Sequence, residues 1–145
     1  MKQLTVAIDF SDNTGRLLEH TTSLAKGLDA KVSLIHIIAP EPEFVGFDAY
    51  AYPGPDVRED QLQREKAQLR EMVDQLKDAG VDAAAFMKEA PVVAGIMEFA
   101  DHHDADIIAV GSHGHGAITR LLLGSIAEGV VRQSKVPVLV VPTGG

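Results

Sequence analysis

Ile107-Ile108-Ala109-Val110-Gly111-Ser112-His113-Gly114-His115-Gly116-Ala117-Ile118-Thr119-Arg120-Leu121-Leu122-Leu123-Gly124-Ser125-Ile126-Ala127-Glu128 reads as three pieces in a row. The apolar run up to Val110 is a buried strand, the glycines make a loop, and the last residues open a helix. The loop spells G-x2-G-x9-G-S, on Gly111, Gly114, Gly124 and Ser125. Glycine lets a backbone approach a ligand closely, and the free N–H groups of a helix N-terminus attract phosphate. Ser125 with Glu128 three residues later has the form of a capping box, which predicts Ser125 as N-cap and a helix from Ile126 to about Ser134.

Outward from this stretch the chain alternates strand and helix. Leu4 to Ile8 is a short strand ending at Asp9, and Asp12 or Asn13 can cap a helix to Leu28 with Leu17, Leu18, Thr21, Leu24, Ala25 and Leu28 on one face. Lys31 to Ile38 is a second strand, stopped by Ala39-Pro40. Residues 40 to 55 are irregular and aromatic; they can serve as a lid or a partner contact, and packing onto the domain's own surface is the simplest use for them. A charged helix from about Asp56 to Ala79 follows, closed by Gly80 at C′. Val81 to Met87 predicts a third strand, Pro91 to about His103 a helix, Asp106 to Val110 the fourth strand and Pro137 to Val141 the fifth.

Strands separated by helices predict a single-domain open α/β fold over residues 1–145: a five-stranded parallel sheet with helices on both faces, Rossmann-like, in the order 3-2-1-4-5. Ligands bind such sheets at the carboxyl ends of strands where the order reverses. That order sets strands one and four side by side and brings Asp9 next to Gly111. Asp9 has two readings there. It can hydrogen-bond a ribose or hold a phosphate-bound Mg²⁺, or it can simply cap the turn into the first helix.

Composition narrows the field. The net charge is −8, so nucleic acid is not the expected partner, and a phosphate site would rely on backbone N–H groups. There is no cysteine, which fits a reducing cytoplasm. No apolar run approaches the about 20 residues of a membrane span, so neither membrane insertion nor a leader is expected. Among six histidines, His113 and His115 flank Gly114 and are read as lining the loop toward solvent or ligand. His102-His103 lies on another element, which argues against a shared metal site, and His36 reads as a satisfied core histidine. No lysine follows the glycines as a P-loop requires, and the first strand is followed by Asp9-Phe10-Ser11-Asp12 in place of a dinucleotide fingerprint. The third strand ends Phe86-Met87-Lys88, without the aspartate that a receiver domain needs.

Nearly the whole chain resembles the universal stress protein family in its ATP-binding branch, through Val6 to Ser11, Leu34 to Ile37, the glycine motif and Val136 to Val141. The resemblance implies that Ala7, Ile8 and Asp9 border adenosine and that Ile37 touches adenine. Gly111, Ser112, Gly114 and His115 would wrap ribose and phosphates, and Gly124, Ser125 and Ile126 would hold the β- and γ-phosphates. His113, Gly116 and Ala127 complete the implied ATP site, with Mg²⁺ carried on the nucleotide. A loop position where relatives often have arginine is histidine here, which makes the phosphate end less basic. The resemblance also implies a homodimer, or a higher oligomer, through the apolar last strand. The resulting expectation is a cytoplasmic, ATP-binding regulator of a stress response or of a partner such as a membrane transporter. The alternatives are a weak ATPase or phosphotransfer enzyme, with His113, His115, Thr119 and Arg120 as the loop's candidates, and an AMP-binding interaction module.

Overall fold

The computed structural model describes residues 2–40, 55–113 and 123–142. The aromatic segment at 41–54 therefore lies outside the described residues, as do Gly114, His115, Gly116, Thr119 and Arg120 of the glycine loop. The elements run β1 (Lys2–Ala7), α1 (Thr14–Leu28), β2 (Ala30–Ile38), α2 (Pro55–Asp78), β3 (Ala83–Glu89), α3 (Val92–His102), β4 (Ile107–Gly111), α4 (Ser125–Gln133) and β5 (Val138–Val141). The five strands form one sheet in the order β3-β2-β1-β4-β5, with every pairing parallel. This is the predicted order.

Each right-handed crossover puts its helix on the face that its direction of travel dictates. The chain moves one way from β1 to β3 and the other way from β3 to β5. α1 and α2 therefore cover one face, with Leu17, Leu69 and Leu76 packed on Leu4, Val6, Val32 and Leu34. α3 and α4 cover the other, with Ile96, Phe99 and Val130 packed on Ile35, Ile37, Ile108 and Val110. Because successive strand residues face opposite sides, a strand buried on both sides is apolar over most of its length, with Thr5 and Ser33 as buried polar exceptions. That is the origin of the continuous runs in β1, β2 and β4. No helix among the described residues is long and apolar enough to cross a membrane.

Local signals mostly hold, with informative exceptions. Gly80 has φ +87, its N–H reaches Lys77 O at 2.9 Å, and Val81 N–H reaches Leu76 O at 2.9 Å. This is the Schellman pattern expected of a C′ glycine. A Cβ at Gly80 would meet nothing within 4 Å, so Gly80→Ala should cost only the left-handed backbone penalty. We expect a loss of about 1 kcal/mol, read from the midpoint of a urea melt. β3 lies two residues later than predicted, because its register is set by β2, which carries it out to the pair Ile38–Glu89. Pairing overrides the weak propensity of its alanines. Leu28, expected on the buried face of α1, is 39% exposed at the helix end.

Candidate functional site

The carboxyl ends of β1 and β4 meet as predicted. Val6 pairs with Ala109, a register that sets Asp9 level with Ser112 three residues further on each strand. Phe10, at φ +57, turns the chain out of β1. The Asp9 carboxylate accepts the Ser11 N–H at 2.9 Å, closing an Asx turn. Asp9 thus does perform the turn-capping role, and it is exposed at the rim.

Neither predicted side-chain cap forms, and each failure has a structural cause. Asn13 stands at the N-cap of α1 but makes no capping bond. Its Nδ2 instead donates to the His113 carbonyl at 3.2 Å, tying the first loop to the glycine loop across the crevice. At α4 the N-cap is Gly124, in extended conformation, and Glu128 N–H reaches Gly124 O at 2.9 Å. Ser125 is therefore the first helical residue, not the cap. Glu128 lies one residue too far along to reach back, and its carboxylate pairs with Arg132 at 2.6 Å. Gly124 takes the cap because its own N–H is drawn to Ser112 O at 2.7 Å, which pins the start of α4 against the end of β4.

The consequence favours an anion. The N–H groups of Ser125, Ile126 and Ala127 belong to the first turn and have no acceptor within the helix. Their partial positive charge faces the end of the sheet. Ser125 and Ile126 are exposed, whereas the Ala127 side chain is buried in the core at 2%, so Ala127 reaches the site only through its N–H.

The end of β4 is more enclosed than predicted. Ser112 N–H bonds to Val141 O at 2.8 Å. His113, expected to face solvent or ligand, is only 8% exposed, so its ring does not face solvent. Its Nδ1 lies 3.2 Å from Ser112 Oγ, and Nε2 is buried with no hydrogen-bond partner among the described residues. A buried ring nitrogen in that condition suits a ligand atom.

The other wall is built by β2. In a parallel ladder the N–H and C=O of one residue point to the same neighbour, and successive residues alternate sides. Ile35 O receives Ile8 N–H at 2.8 Å, whereas Ile38 O receives Ala90 N–H at 3.0 Å. By that alternation the Ile37 N–H and C=O point to the β1 side, where β1 has already turned away. The Ile8 carbonyl, the next rung on that side, receives instead the Nδ1–H of His36 at 2.7 Å. His36 Nε2 lies 2.9 Å from Glu65 of α2, and Phe10 packs edge-on against the ring at 4.7 Å. His36 is thus the satisfied core histidine predicted from the sequence, and it also holds open the gap that Ile37 faces. The side chain of Ile37 is buried beneath Gly95 of α3, where a Cβ would approach its Cδ1 to 3.0 Å.

A cleft of about 560 Å³ extends from this gap, bounded by Asp9 and Phe10, by His36 to Ala39, and by an α2 face bearing Gln61, Arg64, Glu65 and Gln68. The part played by α2 was not read from the sequence; its only trace was the polar spacing 61, 64, 65, 68. A second cavity of about 530 Å³, near Asp104 and Ser134, lies before β4 and β5. It sits where helix C-termini converge, so it has the wrong polarity for an anion. His103 stacks on Phe99 at 3.9 Å, far in the fold from the glycine loop, and among the described residues no group of three His, Asp or Glu could hold a metal. On the outer surface Lys88 lies 3.0 Å from Glu98 and holds its carboxyl below the ordinary range by hydrogen bond and charge.

Comparison with known proteins agrees with this architecture. The sequence profile of the universal stress protein family matches residues 1–142. Universal stress protein MJ0531 of Methanocaldococcus jannaschii is 33% identical over 97% of this chain and 81% of its own. The solved structure of MJ0577, a universal stress protein from the same archaeon, superposes with a TM-score of 0.82 at 26% identity, covering 99% of this chain and 97% of the other. A universal stress protein solved in complex with cAMP superposes with a TM-score of 0.70 at 28% identity, over 99% of this chain and 98% of its own. The order of strands, the glycine loop after β4 and the agreement along the length of the chain lead to one conclusion: the protein belongs to the universal stress protein family.

Proposed function

We propose that this chain binds ATP at the carboxyl edge of the sheet and acts as a nucleotide-dependent regulator of a stress response or of a partner protein such as a transporter. The observation that carries the reading is the pair of bonds joining Asn13 to the His113 carbonyl and Gly124 to the Ser112 carbonyl. They hold the first loop and the first turn of α4 against the end of β4, and the register that sets Asp9 level with Ser112 brings that end beside the cleft lined by Asp9 and Ile37. The cAMP complex of a relative supports an adenine nucleotide as the ligand class. In this reading Ala7, Ile8 and Asp9 border the nucleoside, and the Ile37 main chain meets the base. Gly111, Ser112 and His113 flank the ribose and phosphates, with Gly114, His115 and Gly116 beyond them in the loop. The N–H groups of Ser125, Ile126 and Ala127 receive the terminal phosphates, next to Gly124.

Mg²⁺ fits only as a passenger on the triphosphate. Asp9 is an exposed carboxylate at the crevice rim, and Mg²⁺ is commonly held by one or two carboxylates plus phosphate oxygens. A homodimer through β5 is part of the proposal: β5 is an edge strand, and Val138, Leu139 and Val140 on it are only half-buried.

Titration calorimetry of the wild-type chain with ATP, with and without Mg²⁺, tests the reading, and absence of binding would sink it. Asp9→Ala separates the two roles of that carboxylate. We expect affinity in Mg²⁺ to fall about tenfold, the scale of one lost interaction with a charged group. If the melting midpoint drops and affinity does not, Asp9 serves the Asx turn alone.

A further inference from the structure

We infer that α2 forms the base-reading wall of the crevice, and that Gln61, Arg64 and Gln68 set which purine is accepted. The inference rests on the nucleotide reading above and adds a wall to it. These residues lie at i, i+3 and i+7, one stripe of a helix, and all three line the cleft that opens beside Asp9 and Ile37. Glu65 belongs to the same stripe but is held by His36 at 2.9 Å, so it is not available to a ligand. Arg64 has no ion-pair partner among the described residues, so its guanidinium stands over the cleft uncommitted.

The Ile37 main chain presents one donor and one acceptor, enough to meet one edge of a base. A second edge is left to the other side of the cleft, which among the described residues is lined by α2. A carboxamide offers a donor and an acceptor side by side, which matches the amino group and N7 of adenine. A guanidinium offers donors only, which match O6 and N7 of guanine. The two glutamines and the arginine therefore pull in opposite directions. Base preference becomes a balance struck on α2, separate from the phosphate grip at α4.

The test is titration calorimetry with ATP and with GTP, on the wild-type chain, on the double variant Gln61→Ala/Gln68→Ala and on Arg64→Ala. All three side chains are exposed, and alanine is the best helix former, so the fold should persist; circular dichroism melts check it. The double variant should lower the ATP-to-GTP affinity ratio about tenfold, and Arg64→Ala should raise it by a similar factor. Ratios within twofold of wild type in both variants would overturn the inference. A wild-type chain that binds neither nucleotide would overturn the nucleotide reading instead.

Discussion

Gly124→Val is expected to abolish measurable ATP binding while leaving the fold intact. Gly124 sits at the N-cap of α4 with φ −64 and ψ 160, a conformation that valine adopts readily. Its N–H bond to Ser112 O at 2.7 Å does not involve the side chain and would survive. What changes is the space over the first turn, where a branched side chain would stand between the N–H groups of Ser125 and Ile126 and an approaching phosphate. Losing two hydrogen bonds to a charged group, at about 1.5–3 kcal/mol each, weakens binding by about a hundredfold or more. Calorimetry reads the affinity, and a thermal melt within a few degrees of wild type shows that the site and not the fold was lost. Undiminished affinity would remove the first turn of α4 from the phosphate site.

The second large effect is on stability, at His36. Its two nitrogens bridge the Ile8 carbonyl and Glu65, and the His36 and Glu65 side chains are 14% and 13% exposed. His36→Leu would keep most of the volume but strand both partners. Breaking a buried pair by removing one member costs about 3–5 kcal/mol, and the partial exposure lowers this to about 2–3 kcal/mol. Glu65→Leu added to His36→Leu should recover part of the loss, because the unpaired carboxylate is then gone. Urea melts of the single and double variants measure both steps. A double variant no more stable than His36→Leu would show that the Ile8 carbonyl, and not the contact with Glu65, dominates. If His36→Leu alone is neutral, the bridge contributes nothing to the fold. The same substitution frees the end of β1 and should weaken nucleotide binding in parallel.

How far the chain could be read in advance depended on the range of the interaction. The strand order was legible because apolar runs, glycine at C′ and the position of the glycine loop after the fourth strand are local signals consistent with a single topology. The two helix caps were misread for the opposite reason. Asn13 and Ser125 have side chains suited to capping, but a loop 100 residues away claimed Asn13, and Ser112 O drew in Gly124 and shifted the start of α4 by one residue. Cap propensity is worth about 1 kcal/mol, little enough for a single long-range bond to override it.

The sequence alone determined the alternation of elements, their two-sided burial and the place of the glycine segment after the fourth strand, because periodicity and backbone freedom are properties of neighbouring residues. Only the tertiary structure decided what surrounds the carboxyl ends of β1 and β2. It bent β1 away at Phe10, turned the Ile37 main chain toward an open gap, placed His36 as the prop of that gap and swung the polar stripe of α2 over it. These arrangements depend on residues far apart in the chain, brought together only when the sheet closes and both faces are covered.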